Sequence, residues 1–354
     1  MSYWKGRKMI ENSLPLEIPV FQGGMGIGVS LGGLAGAVAA AGGAGTISTA
    51  QIGFREPDFA EHPLQANLRA IGKELEKARQ IAGGRGLIGV NIMTVTKQYG
   101  EYVREAVRQG ADFIASGAGL PMDLPAFTKG STVKKIPIVS SRKAADIICR
   151  RWMKRDGVLP DAVIIEGPKA GGHLGFTAEE AINESSAEYE EEVKRIITFL
   201  REFGAAYKHR IPIITAGGFC ASQDWNHQKE LGADAIQVAT RFVVTEECDA
   251  DVRFKQAYIN CKKEDIVIIK SPVGMPGRAI RNRFIQETEQ KRIPPERCYQ
   301  CISVCRPSQT PYCITQALIR AVTGDTENGL VFCGANAWRE ERITTVREVI
   351  KEIM

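Results

Sequence analysis

The stretch Ala162-Val-Ile-Ile-Glu166-Gly-Pro-Lys-Ala-Gly-Gly-His173 begins as an apolar run and ends as a glycine-rich turn. The run has the length and composition of a buried strand, and Glu166 stands at its carboxyl end. Glycine lets a main chain approach a bound group closely, and histidine can move a proton near neutral pH. A strand end with both properties is typical of an active site in an α/β enzyme.

Similar short apolar runs alternate with helical stretches through about residue 245. The eight predicted strands are Pro19–Gln22, Gly45–Ser48, Leu87–Asn91, Phe113–Ser116, Ile136–Ser140, Ala162–Glu166, Pro212–Ala216 and Ala235–Val238. Predicted helices include Leu64–Ala82, Glu101–Gln109, Arg142–Lys154 and Ala187–Phe203. This alternation indicates parallel β/α units, and eight such units close a TIM (β/α)8 barrel.

The alternation stops after Cys248. We predict a (β/α)8 barrel domain over residues 1–248, a cysteine-containing excursion over 249–336 and a C-terminal helix over 337–354. The excursion is expected to be mainly helical with an irregular loop, and to fold over the barrel mouth. The last helix is expected to pack back on the barrel.

Composition excludes several classes of protein. The chain has 354 residues and a net charge of +5, and its basic residues are interleaved with acidic ones, as in 73–79. Nucleic-acid binding would need a basic patch, and none is apparent. No apolar run is long enough to span a bilayer, and Met1–Lys5 lacks the apolar region of a signal peptide. We therefore predict a cytoplasmic protein whose nine cysteines are free thiols or metal ligands.

The predicted carboxyl ends of the strands are small, polar or glycine, and in a barrel these ends form one mouth. Loops after the last two strands commonly hold a phosphate, and Gly217, Gly218, Ala239 and Thr240 have the small side chains that this needs. The alternative is that these glycines only make tight turns.

The first strand end, Gln22-Gly-Gly-Met-Gly26, does not have the full spacing of a dinucleotide-binding fingerprint. Met25 could instead pad a flat aromatic ring at the mouth, or it could be a core methionine. His173 is the candidate for acid–base chemistry, and the alternative is a structural histidine in a loop. The other three histidines, His62, His209 and His227, lie in charged or polar segments.

Five segments together resemble the flavin-dependent nitronate monooxygenases, formerly called 2-nitropropane dioxygenases. They equally resemble the FMN-dependent enoyl-acyl-carrier-protein reductase II. The segments are Pro19–Met25, Gly89–Met93, Glu166–His173, Ala216–Gly218 and Gln237–Phe242, in family order over roughly residues 15–245. The match is specific for the superfamily and not for the reaction.

The resemblance implies FMN as the cofactor. It implies that Gly23, Gly24 and Met25 line the ring system, that Asn91 and Glu166 bond its polar edge or ribityl chain, and that Gly171 and Gly172 approach it. The phosphate would be held by Gly217, Gly218, Ala239 and Thr240, with Gln237 nearby. His173 would face the substrate. Two departures stand out: Lys169 replaces a frequent carboxylate, and Ala239 replaces a common glycine.

Three functions follow from the resemblance. The first is oxidation of alkyl nitronates with oxygen, with His173 as acid and base. The second is reduction of an enoyl thioester by NAD(P)H, and the third is a non-catalytic flavin-binding sensor. The expected partner is a small-molecule substrate, and a homodimer is an open possibility.

Four thiols crowd one stretch, at Cys298, Cys301, Cys305 and Cys313. Thiolates at such spacing can hold an iron–sulfur cluster or zinc. The spacing matches no standard signature of either site, so we predict no metal and keep these four residues as the candidate ligands.

Overall fold

The computed structural model describes residues 14–183 and 186–354, with the side chains of 186 and 187 left aside. The segment 1–13, where the sequence predicts no signal peptide, lies outside the described residues. Parallel strands close a barrel in chain order, which confirms the predicted TIM barrel. The barrel strands are β1 (Val20–Gln22), β2 (Ala44–Ser48), β3 (Leu87–Met93), β4 (Phe113–Gly117), β5 (Lys134–Val139), β6 (Val163–Glu166), β8 (Ile213–Ala216) and β9 (Ala235–Val238).

Helices alternate with these strands as predicted. They are α1 (Gly32–Ala40), α2 (Pro63–Ala82), α3 (Tyr99–Arg108), α4 (Leu124–Phe127), α5 (Arg142–Asp156), α6 (Ala178–Asn183), α7 (Ser186–Ala206), α8 (Ser222–Leu231) and α9 (Thr240–Val243). None of the helices within the described residues combines the length and apolar character needed to cross a bilayer.

Alternate residues along each strand face the barrel interior and the surrounding helices. On β6, Ile164 belongs to the interior cluster, whereas Val163 and Ile165 pack among the helices. Phe21 and Phe113 meet edge to face in that interior, with ring centroids 5.6 Å apart. Glu166 continues the inward row of β6 and therefore lies at the mouth.

The segment after the barrel contains helices, as predicted, and also a β-hairpin that the sequence analysis did not predict. Its elements are α10 (Val252–Asn260), β10 (Ile266–Lys270), β11 (Pro276–Ile280), α11 (Arg283–Gln290) and α12 (Ile314–Val322). Strand β11 pairs with the short strand β7 (Gly172–His173), so the hairpin and the glycine–histidine turn form one antiparallel sheet. The turn between β10 and β11 is rich in glycine and proline, which is the composition of an irregular loop. The strand that completes this sheet, β7, lies much earlier in the chain, so the sequence near the turn does not reveal the pairing.

The cysteine-bearing segment docks on loops at the barrel mouth. Lys97 donates its N–H to the carbonyl of Cys301 at 3.1 Å, and Tyr299 stacks on Phe59 with ring centroids 5.2 Å apart. The last helix, α13 (Val346–Ile353), buries Val346 and Ile350 in a cluster that also contains Trp225. These contacts place both segments against the barrel.

Helix α1 is capped by a carboxylate from beyond the barrel. The residue before the helix is Leu31, which has no side-chain cap. Asp249 instead accepts the N–H groups of Leu31, Gly33 and Leu34 at 2.9, 3.1 and 3.0 Å. Because the first N–H groups of a helix lack partners within the helix, Asp249 supplies acceptors that the local sequence does not.

Replacing Asp249 by alanine is expected to lower the free energy of unfolding by about 1–2 kcal/mol, because three N–H groups lose their acceptor. Urea unfolding followed by circular dichroism measures the change. The matched control is Asp123→Ala, since Asp123 is exposed and pairs with Arg155 at the surface. We expect a loss within about 0.5 kcal/mol there. Equal stability of the two variants would contradict the capping role.

Candidate active site

A cavity at the carboxyl ends of the barrel strands brings the predicted site residues together. Its lining includes Gly23, Gly24, Met25, Asn91, Glu166, Gly171, Gly172, His173, Gly217, Gly218, Gln237, Ala239 and Thr240. These residues follow five different strands, and they meet because parallel strands of a barrel all end at one face. Their roles in binding and catalysis stay predictions, but their shared location is a property of the structure.

The loop after β1 comes close to its neighbours. A Cβ atom on Gly24 would lie 2.4 Å from Cβ of Asn91, so no larger residue fits there without a shift. Met25 is fixed through its main chain, because its N–H donates to Oγ of Ser30 at 2.8 Å and its carbonyl accepts the N–H of Ser30 at 3.0 Å. This loop therefore presents a wall of main-chain atoms with a single apolar side chain, that of Met25. Such a wall suits a flat ring.

The loop after β8 forms another part of the wall, and the loop after β9 lies beside the loop after β1, since a Cβ atom on Gly23 would lie 3.3 Å from Cβ of Ala239. Gly217 and Gly218 have φ angles of 116° and 80°, which favour glycine over any other residue. The carbonyl of Gly218 accepts a hydrogen bond from Nδ2 of Asn336 at 2.6 Å. The side chain of Lys169 passes over Gly218, with its Cβ 2.8 Å from where a glycine Cβ would stand. Main-chain groups without side chains, beside a lysine, suit an anionic ligand group such as a phosphate.

Glu166 contributes a carboxyl group to the cavity. It has no hydrogen-bond partner within the part of the chain that the structure describes, and burial raises its pKa to about 7. The hydroxyl of Tyr189, behind it, is buried and also lacks a partner there. Glu166 can thus be either acceptor or donor near neutral pH, and it has free capacity for a polar group in the cavity.

His173 is held from the hairpin side. Its Nε2 lies 2.8 Å from Oγ of Ser271, and its ring meets the edge of Phe332 with centroids 5.0 Å apart. Its main chain pairs with Gly277 of β11. Burial lowers the pKa of His173 to about 4, so the imidazole is neutral at pH 7. The residue can exchange a hydrogen bond or a proton but carries no charge at rest.

A buried arginine supports the turn that carries His173. Arg278 is only 2% exposed. It donates hydrogen bonds to the carbonyls of Pro168, Ala170 and Ala181 at 2.6, 2.7 and 2.8 Å. These bonds fix the loop between β6 and β7 on both sides of Lys169.

Sequence reasoning missed the site residues that come from beyond the barrel. They are Ser271, which bonds His173, and the cavity-lining residues Phe254, Tyr258, Leu318, Phe332, Cys333, Gly334 and Asn336. The proline- and glycine-rich run 271–277 does signal a turn, and it could have suggested a hairpin. However, nothing in the sequence near this run identifies His173 as the residue that the hairpin contacts.

The four candidate metal ligands are free thiols, and none of them lines the cavity. Among the described residues, no group of three or more His, Cys, Asp or Glu side chains is placed to hold a metal ion. The arrangement of Cys298, Cys301, Cys305 and Cys313 therefore gives an iron–sulfur or zinc site no support.

Comparisons with known proteins agree with this geometry. The family model described as nitronate monooxygenase matches residues 7–354. A probable nitronate monooxygenase of Staphylococcus aureus (strain Newman) is 31% identical over 130 residues, which are 37% of this chain and 34% of that protein. The match thus spans about a third of the length of such curated relatives.

Two solved structures extend the similarity to nearly the whole chain. FabK from Thermotoga maritima has 26% sequence identity and a TM-score of 0.73, over 99% of this chain and 95% of that one. The nitroalkane oxidase of Streptomyces ansochromogenes has 18% identity and a TM-score of 0.71, over 96% of this chain and 95% of that one. The second likeness bears on the fold alone.

Proposed function

Because this chain belongs to the nitronate monooxygenase family, we propose that it is an FMN-dependent oxidoreductase that oxidises alkyl nitronates with molecular oxygen. The observation that carries the proposal is His173, a neutral imidazole that lines the same glycine-walled cavity as Met25 and Gly218. A cavity with a flat wall, an anion-binding wall and one acid–base residue suits a flavin and a small polar substrate.

The described residues fit FMN as the bound flavin. Gly23, Gly24 and Met25 would pack against the ring system, and a Cβ on Gly24 would clash with Asn91. Asn91 and Glu166 would bond polar atoms of the ring edge or ribityl chain. Gly217, Gly218, Ala239 and Thr240 would hold the phosphate, with Gln237 beside them. When bound, the flavin supplies the electron-transfer chemistry, and the protein supplies position and electrostatics.

His173 acts on the substrate. A neutral imidazole can accept a proton from the carbon next to a nitro group, or it can donate a hydrogen bond to the anionic nitronate. Gly171 and Gly172 precede it without side chains, so the substrate can lie close to the main chain there. Phe332 packs against the ring and limits its rotation.

The enoyl-thioester reductase remains the second candidate, because the sequence segments that line the cavity resemble that enzyme equally well. It would use NAD(P)H as reductant, with His173 as a proton donor. A flavin-binding sensor without catalysis is the third candidate. The homodimer and the cytoplasmic location stay predictions.

A spectroscopic titration tests the proposal. The purified protein is first examined for a visible flavin spectrum, and it is then titrated anaerobically with an alkyl nitronate and, separately, with NADH. Loss of the flavin absorbance with nitronate alone supports the proposal. Turnover of NAD(P)H with a crotonyl-type thioester would favour the reductase instead, and no response to either would favour the sensor. Absence of a flavin spectrum after FMN is added would remove the proposal altogether.

Lys169 is expected to strengthen the binding of the flavin phosphate. Its side chain passes over Gly218, and its ammonium has no carboxylate partner among the described residues. We expect Lys169→Glu to weaken FMN binding about tenfold or more, because one favourable charge interaction becomes an unfavourable one. Fluorescence quenching of added FMN measures the affinity.

Riboflavin, which lacks the phosphate, is the control ligand, and its affinity should change little. Lys129→Glu is the control variant, because Lys129 is exposed and lies outside the cavity. Equal weakening of FMN and riboflavin would show that Lys169 acts on the shape of the cavity and not on the phosphate.

A further inference from the structure

The buried hydroxyl of Ser271 has few partners. Ser271 is 3% exposed, and it follows strand β10 in the turn of the hairpin. Its Oγ accepts the N–H of Val273 at 3.4 Å and lies 2.8 Å from Nε2 of His173. Within the described residues these are its hydrogen-bond contacts. Because buried hydroxyl groups nearly always donate their hydrogen, and Val273 offers only a donor, the geometry favours donation of that hydrogen to Nε2.

This bond settles where the proton of His173 lies. Neutral imidazole carries one proton, and the ring nitrogen that accepts a hydrogen bond is the one without it. With Nε2 accepting from Ser271, the proton is on Nδ1. No described residue bonds Nδ1, and Nδ1 is not among the buried unpaired polar atoms, so it is accessible in a ring that lines the cavity.

We propose that Ser271 is a positioning residue that holds His173 as the Nδ1–H tautomer, so that His173 donates a hydrogen bond to an anionic substrate oxygen. A neutral donor of this kind stabilises an anionic substrate oxygen without carrying a charge of its own. The tautomer stands without any assumption about the reaction, whereas the identity of the anionic substrate rests on the proposed function.

Other features of the cavity agree with an anionic substrate. The ring of His173 stays neutral because burial lowers its pKa to about 4, so it is a donor without being a charged acid. The edge of Phe332 and the pairing of the main chain with Gly277 keep the ring in one orientation.

Nitrogen NMR of the purified protein tests the tautomer directly. The chain has only four histidines, so selective ¹⁵N-histidine labelling gives few signals, and His173→Gln identifies those of His173. At pH 7 we expect a protonated Nδ1 and an unprotonated Nε2 for this residue. A protonated Nε2 would overturn the proposal, whether or not the protein oxidises nitronates.

Kinetics of Ser271 variants test the positioning role. Ser271→Ala should lower kcat/KM for an alkyl nitronate up to about tenfold, the value of one hydrogen bond, and its NMR signals should show a mixture of tautomers. Ser271→Thr keeps the hydroxyl and should restore both properties. Ser308→Ala, an exposed serine of the same excursion, is the matched control and should behave like the wild type.

Wild-type kcat/KM and a single unchanged tautomer in Ser271→Ala would overturn the positioning role. Failure of the wild-type protein to use a nitronate would instead count against the proposed function, and the NMR result would still decide the tautomer.

Discussion

Replacing His173 by alanine is expected to lower kcat/KM for an alkyl nitronate by about 10²–10³-fold, with the flavin still bound. Loss of one preorganised hydrogen-bond donor to a developing or resident oxyanion has effects of this size. The walls of the cavity do not depend on the imidazole, because Gly23, Met25 and Gly218 are held by hydrogen bonds to their own main chain. Stopped-flow absorbance gives the rate, and the visible spectrum gives the flavin content.

His227→Ala is the matched control for this variant. His227 lies on the surface and bonds Glu190 at 3.0 Å, away from the cavity. It should keep the wild-type rate within about a factor of two, since an exposed pair contributes little. A fully active His173→Ala enzyme would disprove the catalytic role of His173.

Replacing Arg278 by methionine is expected to lower the free energy of unfolding by about 3 kcal/mol or more. Methionine keeps much of the apolar stem but leaves three buried carbonyls without their charged donor, and hydrogen bonds to charged groups contribute about 1.5–3 kcal/mol each. The loop around Lys169 should loosen, so flavin affinity should fall as well. Urea unfolding and flavin content measure the two effects.

Arg281→Met controls for the loss of an arginine in the same segment. Arg281 is exposed and pairs with the exposed Glu289, so its replacement should cost about 0.5 kcal/mol or less. Arg278→Lys keeps the positive charge on a single ammonium group. Its free energy of unfolding should lie between those of Arg278→Met and Arg281→Met. If Arg278→Met is as stable as Arg281→Met, the buried arginine does not hold the loop.

Much of the barrel was predictable because its signals are local. Each strand is a short apolar run whose alternate residues face the interior and the helices, as with Ile164 and Ile165. Glycines at strand ends mark where the main chain must come close to something else, and Gly24, Gly217 and Gly218 do so in the structure. Chain order then puts all these ends at one mouth.

The hairpin and its contacts were not predictable from such signals. Strand β10 could be seen as an apolar run, but its place beside the active site depends on the pairing of β11 with Gly172 and His173. The capping of α1 by Asp249 is of the same kind, because the acceptor lies far along the chain from the helix that it serves. A contact between distant segments produces no periodic pattern of apolar residues in the sequence of either segment.

The barrel, the family and the residues at its mouth can be predicted from the sequence, because each depends on patterns within a few neighbouring residues. The state of His173 depends instead on the folded chain. Its neutrality follows from burial, and the tautomer that we propose follows from the hydroxyl of Ser271, which the hairpin brings to Nε2. The charge and proton position of a side chain depend on whatever surrounds it in space, and here those surroundings come from a segment about a hundred residues away.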